Sequence, residues 1–148
     1  MRGFRRSAFV LGQAGQSFVE VGLLLPVLAL MMVGGLDLAR VYASQAAVEN
    51  ASRAGAEAKQ LGQSCTSGAG GCPAAIDEVS RVPGLNPVEV TCTVGTPTPP
   101  ANSYCVTVST DATYFSVRVQ YTFQTLIDWK VLTRTVGLDR TTKFRSYP

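Results

Sequence analysis

Apolar and polar positions fall into three regimes along this 148-residue chain. The first is an uncharged apolar run over residues 21–36, with Glu20 before it and Asp37 and Arg40 after it. Read as a helix over residues 18–38, about 21 residues rising ~1.5 Å each give roughly 31 Å, close to the hydrocarbon thickness of a bilayer. The pattern predicts a single membrane crossing.

Beyond residue 38 the helical pattern continues, with Val41, Tyr42, Ala46, Ala47, Val48, Ala51, Ala54, Ala58 and Leu61 set among polar residues. Alanine-rich sequence poor in β-branched residues favours helix. One long helix over residues 16–61 is expected, bent near Pro26 and ended by Gly62 as a C-cap. Ala43, Ala46, Ala47, Ala51, Ala54, Gly55 and Ala58 allow another surface to approach closely, and most of them should seat the helix on its own domain.

The third regime begins with a Ser-, Gly- and Cys-rich loop, residues 63–71, followed by a short helix over 73–82 closed by Pro83 and Gly84. From Val88 the period becomes two. Strands are expected over 88–94, 104–109, 115–123 and, more weakly, 134–144, where Gly137 suggests a bulge. The third is the clearest, with Phe115, Val117, Val119, Tyr121 and Phe123 on one face. Such a face needs cover, and the amphipathic part of the long helix supplies it. The expected class is therefore α+β: a long N-terminal transmembrane and amphipathic helix packed on a small antiparallel sheet, with residues 62–148 forming the second domain. Trp129, in the loop before the last strand, is read as core packing, with a membrane-interface anchor or a partner contact as the alternatives.

Charge sets the topology. Arg2, Arg5 and Arg6 precede the apolar run without any acid, the flank that the positive-inside rule keeps in the cytoplasm, so the chain should be N-in and C-out. The whole chain carries 13 basic and 10 acidic residues; without those three arginines the two are equal. No excess of positive charge remains for nucleic acid, and no basic stripe with interleaved aromatics suggests it. All four cysteines lie C-terminal to the apolar run, as suits an exported domain. Cys65 and Cys72 read as a local disulfide, and Cys92 pairs best with Cys105 across a Pro-rich loop, although four cysteines permit three connectivities. With Cys105 alternating between Tyr104 and Val106, that second bridge should fall at a strand end where pairing is irregular.

Catalytic chemistry finds little to work with. There is no histidine, which removes Ser-His-Asp, Cys-His and His-metal sites, and no C-x2-C zinc pattern, G-x-S-x-G, S-x-x-K or Gly-rich phosphate loop occurs. Asp77 and Glu78 read as a solvated helix face. No catalytic residue, metal or cofactor is expected, and the chain is read as non-enzymatic. The unusual residue is Glu20, since a carboxylate in lipid carries a desolvation cost that reaches about 3 kcal/mol at the bilayer centre. Taken alone, it reads as an interfacial residue snorkelling into headgroups.

The residues around it change that reading. Gly15-Gln16-Ser17-Phe18-Val19-Glu20, followed by Leu23-Leu24-Leu25-Pro26, resembles the leader junction of type IV prepilins, and is most similar to TadE-like pseudopilins of tight-adherence pilus systems. The similarity continues through Leu36-Asp37-Leu38-Ala39-Arg40 and residues 47–56, with Ser52 and Glu57 replacing a usual alanine and arginine, and Val21 and Gly22 a usual aromatic and alanine. The resemblance implies a cytoplasmic leader, residues 1–15, cut by a prepilin peptidase between Gly15 and Gln16. Glu20 would then be fifth in the mature chain and, with the new Gln16 amine, would serve assembly. It further implies a pilin-like fold, other pilin-like subunits and a pilus assembly platform as partners, and residence in the bacterial cytoplasmic membrane with the C-terminal domain outside. The alternative function is an anchored or secreted non-catalytic binding domain with no pilus role, for which Val41-Tyr42-Ala43 offers a small-x-small cleavage site. Arg5-Arg6 is a weak twin-arginine signal.

Overall fold

The computed structural model describes residues 12–81, 87–93, 95, 98–127 and 133–146. Most of the expected leader, the Pro83-Gly84 helix stop and Trp129 lie outside the described residues. The chain divides into two compact units, residues 1–36 and 37–148, and the first helix, α1 (Gly12–Gln60), contributes to both.

In the first unit α1 is a bare apolar helix. Every side chain from Gly15 to Met32 is exposed. Pro26 sits within it and the helix continues through that position, although the N–H that proline lacks leaves the Gly22 carbonyl without its usual helical donor. α1 already includes Gly12 to Gly15, so the Gly15–Gln16 bond lies inside the helix.

In the second unit α1 is amphipathic. Val41, Ser44, Val48, Ala51, Ser52, Gly55 and Ala56 recur at helical spacing on the buried or half-buried side. The helix closes in a Schellman arrangement: Gly62 takes φ +75°, the Gln63 N–H reaches the Ala58 carbonyl at 2.9 Å, and the Gly62 N–H reaches that of Lys59 at 3.2 Å. Helix α2 (Pro73–Ser80) starts on a proline, where a missing N–H costs nothing, and buries Ala75 and Val79.

Four strands form one sheet in the order β1 (Val88–Glu89), β2 (Ser103–Thr110), β3 (Tyr114–Gln124) and β4 (Thr135–Arg145). β2, β3 and β4 make the expected antiparallel meander, whereas β1 pairs parallel to β2, so the sheet is mixed. β1 is also shorter than the alternation over 88–94 suggested. Continuing its register would set Cys92 beside Thr107, but Cys92 is bonded to Cys105 and so leaves the ladder. Ser67 takes over the vacated edge of β2, accepting from the Val108 N–H at 2.7 Å and donating to the Val108 carbonyl at 2.9 Å.

The inner face of β3 carries Phe115, Val117, Val119, Tyr121 and Phe123, all at most 5% exposed, under α1 and α2. α1 comes closest at Gly55, where an added Cβ would lie 3.1 Å from Cys72 Sγ, 3.1 Å from Val117 Cγ1 and 3.2 Å from Ala75 Cβ. The outer face is covered in part by the Pro-rich loop: Thr122 Oγ1 donates to the Pro99 carbonyl at 2.6 Å and the Asn102 N–H to the Thr122 carbonyl at 2.8 Å. Gly137 is not a bulge. It sits in regular register opposite Thr122, and a Cβ there would come within 3.2 Å of Thr98 Cγ2, so the glycine makes room for the loop. Disulfides join Cys65 to Cys72 and Cys92 to Cys105, with Cα–Cα separations of 4.1 and 5.8 Å.

Candidate functional site

Two groups of residues are candidates for function, one in each unit. The first lies at the start of α1. The Gly15–Gln16 bond lies within the described part of α1. Beyond its chain neighbours and the helix's own backbone, nothing among the described residues lies within 4 Å of where a Gly15 Cβ would be. Gln16 and Glu20 are both exposed and four residues apart, one above the other on the helix. Around Glu20 the neighbouring surface is Val19, Leu23 and Leu24. Its carboxylate thus stands on an apolar surface.

The second group lies where the amphipathic half of α1 begins. Asp37 is only 5% exposed although it directly follows the apolar run. Its Oδ1 accepts a hydrogen bond from the Leu126 N–H at 3.2 Å and faces Arg40 Nη1 at 3.5 Å. The Arg40 guanidinium lies over the Phe123 ring, 5.3 Å from its centroid, and Ser44 Oγ donates to the Arg40 carbonyl at 2.9 Å. A guanidinium on an aromatic face gains roughly 0.5–1 kcal/mol at exposed sites. The sequence marked Asp37 and Arg40 only as the charged end of an apolar stretch. The structure joins them to the end of β3, a relation that no local pattern encodes.

Among the described residues no three His, Cys, Asp or Glu side chains come together as metal ligands would. Asp77 and Glu78 both pair with Arg81 on the exposed side of α2, in agreement with a solvated face. Burial raises the Tyr121 hydroxyl, which donates to Asn102 Oδ1 at 3.2 Å, and the Arg40 charge lowers it in part.

The described residues thus combine one helix long and apolar enough to cross a membrane with a helix-on-sheet α+β unit. The family described as TadE-like protein matches residues 15–57, so that segment is similar to the family. The match begins at Gly15 and ends within the amphipathic half of α1, leaving α2 and the sheet outside it. No curated protein and no solved structure matches the chain. The family is a structural, pilus-related one.

Proposed function

We propose that this protein is a pilin-like subunit, cut by a prepilin peptidase between Gly15 and Gln16, that takes part in assembling a tight-adherence pilus or a related secretion machine. The observation that carries the reading is the coincidence at one place of three things: the start of the TadE-like match, the Gly15-Gln16 junction, and Glu20 on a fully exposed apolar helix. In this reading the segment spans the membrane once, N-in and C-out, with the stapled unit outside the cytoplasm.

The cut leaves an amine on Gln16, whose ordinary pKa of about 7.7–8.0 keeps it largely cationic near neutral pH. An offset neighbouring helix brings that amine against Glu20 and removes two charges from lipid together. Uncut subunits lack the partner charge, so assembly waits for processing. The partners are the peptidase, other pilin-like subunits and the assembly platform.

The rival cut after Ala43 is disfavoured by the second unit itself. It would remove Asp37 and Arg40, which hold the Leu126 amide and cover the Phe123 ring. Sequencing the N-terminus of protein recovered from membranes decides between them: a start at Gln16 supports the subunit reading, and a start at Ser44 overturns it.

A further inference from the structure

The described start of the β3–β4 connection carries two exposed apolar residues. Leu126 is 65% exposed and Ile127 40%. The other hairpin tip of the meander, between β2 and β3, is Asp111, Ala112 and Thr113, which are small or polar. The two tips lie at opposite ends of β3, whose 11 residues extend roughly 36 Å. Among the described residues, exposed large apolar side chains thus stand at the Leu126 end of the meander and not in the turn at the other.

Leu126 is also fixed in place. Its N–H is held by the carboxylate of Asp37, the residue bonded directly to Leu36 at the end of the apolar run. A carboxylate arm plus one hydrogen bond puts the Leu126 nitrogen within about 7 Å of the Asp37 Cα. The headgroup layer on each side of a bilayer is itself roughly 5–7 Å deep. Leu126 therefore stays within about one headgroup layer of the residue that follows the apolar run.

Chemistry at this end suits that layer. Arg134 closes the base of the loop, its carbonyl accepting from the Thr125 N–H at 3.0 Å and from Thr125 Oγ1 at 3.2 Å, and its side chain is exposed. Asp37, the acid that meets the loop, is buried and already engaged. On α1, Leu38 and Tyr42 share one face a turn apart and are 72% and 77% exposed, and tyrosine favours the membrane–water boundary.

We propose that Leu126 and Ile127 form a second membrane contact, dipping into the same phospholipid bilayer that the apolar helix crosses, with Arg134 among anionic phosphates. The contact ties the sheet to the membrane surface, and the inference rests on the membrane-anchored reading of α1. The test uses full-length protein with both disulfides oxidised, carrying one added cysteine labelled with an environment-sensitive fluorophore, in phosphatidylcholine–phosphatidylglycerol vesicles. Quencher-bearing lipids report depth. The label sites are Ile127→Cys, Leu30→Cys in the apolar run and Thr113→Cys at the far tip. The expected result is loss of most emission at positions 30 and 127, the latter strongest with the shallow quencher, and none at 113; Leu126→Ser should weaken the quenching at 127. Quenching at 30 with position 127 behaving like 113 overturns this proposal while leaving the anchor intact. No quenching at 30 overturns the anchor and this contact with it.

Discussion

Ser52 Oγ and Thr142 Oγ1 lie 2.8 Å apart, joining the buried face of α1 to the inner face of β4 across a separation of 90 residues. Ser52 Oγ also donates to the Glu49 carbonyl at 2.9 Å, so its single proton is spent within the helix and Thr142 is the donor between the two hydroxyls. Alanine, the residue common at this point in TadE-like chains, has no means of making that link. Ser52→Ala should lower stability by about 1 kcal/mol, the usual net worth of one hydrogen bond. A double-mutant cycle with Thr142→Val, read by denaturant unfolding, should recover a coupling of similar size; additive single effects would show that the hydroxyls do not interact.

Gly55 gives a steric prediction. A methyl group there meets a disulfide sulfur at 3.1 Å and a valine methyl at 3.1 Å, and the bonded sulfur cannot move aside. Overpacking of this kind costs about 1–3 kcal/mol, against a helix-propensity gain of roughly 1 kcal/mol for replacing glycine. Gly55→Ala should therefore melt below the wild type. A rise in melting temperature would mean that α1 and the sheet separate more easily than their contacts indicate.

Each disulfide closes a short loop. Chain-entropy estimates give about 2.5 kcal/mol for Cys65–Cys72 and about 3 kcal/mol for Cys92–Cys105. Paired Cys→Ser variants should each lose stability on that scale, with the second pair costing slightly more. In protein taken from its native compartment, thiol labelling under denaturing conditions should find no free cysteine.

Processing and assembly should separate in two variants. Gly15→Leu puts a bulky side chain beside the proposed scissile bond and should leave the leader attached, as intact mass would show. Glu20→Gln keeps the shape and drops the charge. It should still be cleaved and inserted but should fail to co-purify with other pilus components, because one charge left alone in a low dielectric is unfavourable by about 3–5 kcal/mol. Normal co-purification would reduce Glu20 to an interfacial residue.

Alkaline pH should loosen the second unit. Burial raises the Tyr121 hydroxyl above 10.0, and burial followed by the Glu89 charge raises that of Tyr104. Above their unfolded value the native state then holds protons that the unfolded chain has lost, so the contribution is complete below about pH 10 and falls as pH rises through the folded values. Denaturant midpoints should decline beyond about pH 10, and Tyr121→Phe should flatten that decline. An unchanged slope would show that Tyr121 titrates as it does in the unfolded chain.

Local pattern carried much of this architecture. The long helix, the short α2, the three-stranded meander and the inner face from Phe115 to Phe123 follow from periods of 3.6 and 2 and from Gly and Pro at the boundaries. What did not show in the sequence is what depends on distant partners. The shortness of β1 follows from Cys92 being bonded to Cys105 rather than lying beside Thr107, and Gly137 looked like a bulge because nothing nearby reveals that Thr98 leans on it. Asp37 could be seen to end an apolar run, but not to hold Leu126. For Gly15, Gln16 and Glu20 the junction motif was legible, while the groups they are proposed to meet belong to other molecules, so one chain cannot supply that geometry.

The order of elements along the chain bears on how the sheet avoids misassociation. β2 and β3 are joined by Asp111, Ala112 and Thr113 alone, so this hairpin can close early, and until it is covered Phe115, Val117, Val119, Tyr121 and Phe123 present a sticky surface. Their cover is the helical face that includes Val48, Ala51 and Ala56, which is synthesised first. By the time the last strand leaves the ribosome, the surface that must shield it has already been made, and it is tethered to the same molecule.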